Sequence, residues 1–283
     1  MTNKKIYISD LDGTLLDEKA QLSNFSHQTL KQLIETGLIF TAASARNIAS
    51  MRHILQDIPI DLPIIGGNGA YISDFATGHH HIIHNIQPDL LFPIMDLIQR
   101  HQLTPFISTY NTKKSVDHLY YETIANKGMD WYFQDSLIKK DARFQKISDI
   151  QHSFEEQVMC FNLIGRQAPL SRLRKAIEAE TFSAQLAINF YENGYDRGWY
   201  WLTLHDHRAH KGYAIKILLE QLGYQTQQLT VFGDQHNDLS MFKIAGQAIA
   251  VENAIPSLKK VAHQVIEHHM DDSVVQYLAK RMG

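Results

Sequence analysis

Apolar runs and amphipathic stretches alternate along the first 74 residues. Lys5 to Ser9 is β-branched and aromatic and reads as a buried strand. Helical spacing follows near Ser26 to Thr36, a second apolar run at Leu38 to Ser44, helical spacing again near Asn47 to Gln56, and a third run at Leu62 to Gly66. This βαβαβ grammar builds a parallel sheet with helices on both faces, and ligands then bind beyond the carboxyl ends of the strands. The same grammar returns as a helix from Lys211 to Leu222, a strand at Thr230 to Gly233, a helix near Asp238 to Ala245, a strand at Ala248 to Val251 and a helix from Asp272 to Arg281. Both ends are therefore expected in one sheet.

The middle follows another pattern. A helix from Pro88 to His101 precedes strand-like Thr104 to Thr109 and Val116 to Glu122. Then come a strand at Val158 to Ile164, a helix from Pro169 to Thr181, and strands at Gln185 to Glu192 and Trp199 to His205. Turn formers between Tyr191 and Trp199 predict a hairpin, which favours an antiparallel sheet covered by helices. The chain thus reads as a Rossmann-like α/β core, residues 1–82 and 208–283, carrying an inserted α+β cap domain at 83–207.

Composition narrows the partners. The 283 residues are 44% hydrophobic and 20% charged, with a formal net charge of −3 and scattered Lys and Arg. That balance argues against nucleic acid or an anionic membrane as main partner and points to a small ligand. Cys160 is the single cysteine and lies in an apolar strand, so it reads as core packing in a reducing compartment. With no apolar leader before the first strand and no run of membrane-spanning length, a cytoplasmic location is expected. His79, His80, His81 and His84 form a local cluster that reads as a polar strand at the domain junction, with metal binding as the alternative. Trp199-Tyr200-Trp201 reads as a strand packing on its helices, with a stacking platform as the alternative.

Four segments fall where a strand ends or a helix starts, so the fold would gather them at one rim. Asp10 and Asp12, two residues apart at a strand end, would point the same way, and like charges so placed call for a cation or a shared proton. Ser44-Ala45-Arg46 brings a hydroxyl and free backbone N–H groups to a helix start, a geometry suited to a phosphoryl oxygen or to simple N-capping. Lys211 opens a helix, the end where the macrodipole disfavours a cation, so an anion is expected beside it. Gly233-Asp234-Gln235-His236-Asn237-Asp238 ends an apolar strand with hard oxygen ligands that suit Mg²⁺.

In this order the four segments resemble the haloacid dehalogenase superfamily of aspartate-nucleophile phosphatases. The position of the insert resembles the Cof-like type with a large α/β cap (subfamily IIB), whose Asn-Gly-Ala loop is similar to Asn68-Gly69-Ala70 here. Ser44-Ala45-Arg46 stands where family members often carry Thr-Gly-Arg, and Gln235-His236 replaces small or acidic residues. The resemblance implies Asp10 as nucleophile, Asp12 as general acid and base, and Mg²⁺ held by Asp10, the Asp12 backbone carbonyl and Asp234. It further implies phosphate contacts from Ser44, Lys211, Asn237 and the N–H groups of Leu11 and Ala45, with Asp238 orienting Lys211 or a metal-bound water. Arg46 and Asn68 would face the substrate or the cap. The expected substrate is a small phosphorylated metabolite, a sugar phosphate or phosphorylated cofactor, handled by a monomer or weak homodimer. A phosphomutase would need a second phosphate site, for which Lys113, Lys114, Lys139, Lys140 and Arg143 are the basic candidates, although they read as solvated loop charges. A non-catalytic phosphometabolite sensor is the further alternative.

Overall fold

A computed structural model describes residues 4–138, 141–192 and 197–282. The chain divides into two compact units, residues 1–82 with 209–283, and residues 83–208. The first unit begins with β1 (Ile6–Ser9), α1 (Asn24–Glu35), β2 (Ile39–Ala42), α2 (Ile48–Ile54), β3 (Ile64–Gly66), β4 (Tyr71–Ser73) and β5 (His80–Ile83). Helix α1 is capped by Ser23, whose hydroxyl accepts the Ser26 N–H, and α2 by Asn47 rather than by Ser44. The third apolar run does not extend the parallel sheet as a full strand. It meets the residue after β2 through one bridge, Ala43 to Ile65, and turns back at Gly67–Gly69 to pair antiparallel with β4 in a three-stranded sheet that β5 completes. Among the described residues the histidines of that sheet form no metal-ligand group. Instead, His80 is buried, stacked on Tyr71 and bonded to the Ser73 hydroxyl.

The second unit contains α3 (Pro88–Arg100), β6 (Phe106–Asn111), β7 (Val116–Tyr121), α4 (Lys127–Ile138), β8 (Phe144–Lys146), β9 (Gln157–Gly165), α5 (Gln167–Glu178), β10 (Leu186–Glu192) and β11 (Tyr200–Asp206). Its six strands run in the order β10-β11-β9-β6-β7-β8, antiparallel except for β7 with β8. Successive strand residues serve opposite faces. Ile107, Leu163 and Leu202 pack with Ile94 of α3 and Leu173 of α5, whereas Phe106, Ile164 and Trp201 pack with Met129 and Tyr132 of α4. The pattern from Lys113 to Ile150 gave no sign of α4 or β8. Aromatic residues lie on several sides of α4, where Trp201 meets Tyr132 edge-on at 4.8 Å, so its sequence lacks a clean apolar stripe. The aromatic run 199–201 is packing, as expected. Cys160 is buried on β9, where burial pushes its thiol up and leaves it inert. Arg143 is not a solvated charge: it forks onto Asp141 with its side chain 13% exposed. Lys139, Lys140 and the hairpin tip 193–196 lie outside the described residues.

The chain returns to the first unit as α6 (Lys211–Leu222), β12 (Leu229–Gly233), α7 (Leu239–Phe242), β13 (Gln247–Ala250), α8 (Pro256–Lys259), β14 (Gln264–Val265) and α9 (Ser273–Met282). The expected helix 238–245 is only one turn of α-helix, preceded by a 3-10 turn at His236–Asp238. The main sheet is parallel throughout, ordered β14-β13-β12-β1-β2, so strands from both ends of the chain share it. All four residues of β1 are buried, as befits a central parallel strand covered on both faces.

Candidate active site

The carboxyl ends of β1 and β12 lie side by side, with Ser9 in register with Phe232 and the Asp10 N–H donating to the Phe232 carbonyl at 2.9 Å. One residue beyond each strand stands an aspartate, Asp10 and Asp234, both nearly withdrawn from water. Gly13 makes the approach possible: its φ is +70°, and a Cβ there would sit 2.5 Å from the Asp234 carboxylate. Thr14 then donates its hydroxyl to Asp234 Oδ1 at 3.1 Å.

Lys211 enters from the first turn of α6, a helix capped by the His210 ring, which accepts the Tyr213 N–H. Its ammonium is fully buried and lies 2.7 Å from Asp10 Oδ1 and 2.7 Å from Asp238 Oδ1. The other Asp238 oxygen accepts the backbone N–H groups of Asp234 and Gln235 at 2.9 and 3.0 Å. Asp238 therefore ties the lysine to the turn that carries Asp234. Gly233 leaves room for this, because a Cβ there would meet the Asp238 carboxylate at 2.6 Å.

Three carboxylates, Asp10, Asp234 and Asp238, each place an oxygen within 4.8 Å of the others. One ammonium faces them, so when all are ionised two negative charges are left over. Burial, and then repulsion from Asp238, push the Asp234 carboxyl up to about 6. Asp10 is pushed well above the carboxylate range by burial and by Asp238 and Asp234, with Lys211 opposing. Burial disfavours the Lys211 ammonium, but Asp10 and Asp238 outweigh it and raise its pKa. A buried group of hard oxygens with surplus negative charge fits a divalent cation, whose arrival would relieve the repulsion.

Asp12 is not part of this cluster. The strand geometry ends at Asp10: Leu11 lies in the following turn, and the N–H groups of Thr14, Leu15 and Leu16 all donate to its carbonyl, so alternation no longer governs where Asp12 points. Its carboxylate, 40% exposed, takes a two-pronged ion pair from Arg46 at 2.6 and 2.7 Å, and Arg46 also donates to the Ser50 hydroxyl at 3.0 Å. Ser44 is buried and its hydroxyl accepts the Arg46 N–H. Asn237 donates to the Asn68 side chain at 3.0 Å, and the Asn68 N–H donates to the Ser44 carbonyl, so the loop at Asn68 joins the Ser44 and Asn237 segments.

The profile of the haloacid dehalogenase-like hydrolases matches residues 7–278, nearly the whole chain. The chain belongs to this family. It is a hydrolase of the Cof-like phosphatase type. It is 26% identical to a 5-amino-6-(5-phospho-D-ribitylamino)uracil phosphatase of Bacillus subtilis over 284 residues, covering 95% of each chain. It is also 26% identical to an HMP-PP phosphatase of an Enterobacter species, over 95% of this chain and 92% of that one. Its fold is similar to a haloacid dehalogenase-like hydrolase from Bacteroides thetaiotaomicron, with TM-score 0.80 and 22% identity over 98% of this chain and 99% of that one. A subclass IIB sugar phosphatase shares the fold with TM-score 0.75 and 18% identity, over 98% and 99% of the two chains.

Within this hydrolase, Thr14 and Ser50 also serve the site, and no sequence motif shows what either of them contacts. Thr14 closes the Asp-Leu-Asp-Gly-Thr run, and its contact with Asp234 spans 220 positions, a pairing that no local pattern reports. Ser50 lies in the first turn of α2 and steadies Arg46, which precedes the Asn47 cap, so the helical i,i+4 rule does not report this pairing. Among the described residues no helix is long and apolar enough to cross a membrane.

Proposed function

We propose that the chain is a Mg²⁺-dependent phosphatase of a small phosphorylated metabolite that works through an aspartyl-phosphate intermediate. The observation that carries this reading is the buried Lys211 ammonium shared between Asp10 and Asp238 beside Asp234. It keeps a carboxylate at a strand end in reach of cationic compensation, which an in-line attack on an anionic phosphate requires. Asp10 attacks phosphorus: its Oδ–P bond forms as the P–O bond to the leaving alkoxide breaks. Asp12 supplies the alkoxide with a proton and then takes one from the incoming water, which attacks the same phosphorus and releases Asp10 as a carboxylate. The Arg46 fork on Asp12 must open, or share an oxygen, before Asp12 reaches a leaving group. Lys211, Ser44, Asn237 and the N–H groups of Leu11 and Ala45 hold the phosphoryl oxygens, the Leu11 N–H turning from the Asp10 carboxylate it meets at 2.7 Å, while Asp238 orients Lys211, and Arg46 and Asn68 border the substrate. Asp10, Asp234 and the Asp12 carbonyl would hold Mg²⁺, which when bound offsets negative charge on the phosphoryl group and the carboxylates.

The substrate class is supported by two of the relatives, the 5-amino-6-(5-phospho-D-ribitylamino)uracil phosphatase and the HMP-PP phosphatase, whose names each specify a small phosphorylated compound. Asp10→Asn tests the mechanism: hydrolysis of p-nitrophenyl phosphate should fall about 1000-fold or more, and retained turnover would remove Asp10 as nucleophile. The phosphomutase alternative gains nothing from Arg143, which is committed to Asp141.

A further inference from the structure

The turn that carries Asp12, Gly13 and Thr14 is held from outside by a loop that none of the catalytic assignments uses. After β13 the chain crosses the ends of β12 and β1 as residues 251–255. The Ile255 N–H donates to the Asp234 carbonyl at 2.9 Å. Two residues earlier, the Asn253 side-chain amide donates to the Gly13 carbonyl at 2.7 Å. One short loop thus grips the backbone at both acidic segments, and between those grips Thr14 bonds Asp234 at 3.1 Å. The Asn253 side-chain oxygen is used as well, accepting the His269 N–H at 3.2 Å. His269 returns to the same turn, its Nδ1 lying 2.8 Å from the Leu16 carbonyl. A carbonyl only accepts, so the proton is on Nδ1.

We propose that Asn253 is a positioning residue for the reaction: by holding the Gly13 carbonyl it sets the Gly13–Thr14 peptide, and with it the placement of Thr14 against Asp234 and the course of the turn that leaves Asp12. His269 backs it by fixing the far end of the turn. The physical need is plain at Gly13, whose left-handed backbone has no side chain to lock it and whose neighbour Asp234 leaves no room for one. A Gly13–Thr14 peptide free to rotate there would carry the Thr14 hydroxyl off Asp234 and loosen the turn that follows Asp12, and small displacements of groups at a reacting centre cost rate steeply. The proposal rests on the phosphatase reading above.

The test turns on which half of the Asn253 amide matters. Asn253→Asp keeps the size and the acceptor for the His269 N–H but replaces the donor to Gly13 with an oxygen set against a carbonyl. With p-nitrophenyl phosphate and Mg²⁺, kcat should fall about 10- to 100-fold while KM moves less than about threefold. A kcat within about twofold of the unaltered chain overturns the proposal, since Asn253 would then only pin His269. Should that variant fail to fold, His269→Ala and His269→Asn decide: an asparagine amide can again donate to the Leu16 carbonyl, so kcat should drop in the first and largely recover in the second. Equal kcat in the two overturns the proposal. Asp10→Asn separates the levels: activity retained there removes the underlying mechanism, whereas activity lost there and unchanged in Asn253→Asp removes only the positioning role.

Discussion

Glu156 in the second unit and Asp10 in the first are both carboxylates withdrawn from water, but their surroundings differ in sign. Glu156, with its side chain 10% exposed, receives hydrogen bonds from Thr109, Asn111, Tyr120 and His118. Burial alone would raise its pKa, but the Thr109, His118 and Asn111 bonds outweigh it and hold the carboxyl below its usual range. Asp10 has Lys211 and also two other carboxylates within reach, and its pKa is raised. A saturated carboxylate is finished structure. An under-compensated one is waiting for charge to arrive, and functional sites are where such strain is kept.

The largest effect is expected from removing the cation. Lys211→Met strands Asp10 and Asp238 in a buried setting, and should destabilise the chain by about 3–5 kcal/mol at neutral pH while abolishing phosphatase activity. Denaturant unfolding and a turnover assay would show it, and a stable, active variant would mean that the cluster carries no surplus charge.

Next is Glu156→Ala, which leaves buried donors without an acceptor. A loss of about 1–3 kcal/mol is expected, seen as a lower melting temperature, with turnover of p-nitrophenyl phosphate preserved. If activity falls as far as in Lys211→Met, the contrast between the two clusters is wrong.

Asp234→Asn should act in the opposite sense on the metal-free chain. It deletes a carboxylate whose pKa is raised to about 6, so at pH 7.5 the variant should be more stable by about 1–2 kcal/mol. The sign follows from proton uptake: between about pH 4 and 6 folded Asp234 holds a proton that the unfolded chain has released, so its contribution is present at low pH and lost as pH rises through 6. The gap between variant and unaltered chain should therefore close near pH 4. Divalent cation should raise the melting temperature of the unaltered chain but not of the variant, and a variant that responds equally would place the cation elsewhere.

Smallest is the acid response of the Glu156 cluster. Because its pKa is lowered, its stabilisation is complete above the usual carboxylate range and fades as pH falls below it, the reverse of Asp234. Comparing Glu156→Gln with the unaltered chain between pH 3 and 7 should show their difference shrinking toward acid; a constant difference would mean that charge plays no part there.

Much of this molecule was readable along the chain. Apolar runs located β1, β2, β12 and β13 within a residue or two, because buried parallel strands need continuous apolar sequence. Segment ends also singled out Asp10, Lys211, Asp234 and Asp238, which meet in space, since parallel strands deliver their last residues to one rim, but Asp12 does not join them. Local pattern failed where packing on several sides, rather than one stripe, held the element, as at α4, and where a strand had two residues, as at β14. The His cluster looked conspicuous in sequence, and within it His80 packs between Tyr71 and Ser73 while His79 and His81 are exposed.

By itself the sequence determined the α/β architecture, the insert and the set of charged residues brought to one strand rim, because periodicity and chain order fix those. Only the tertiary structure decided that Asp12 leaves its neighbour for Arg46, that Asp238 holds Lys211, and that Asn253 reaches Gly13. Those choices depend on distances between side chains far apart in sequence, set by how a turn leaves a strand and by which partner lies within hydrogen-bonding reach.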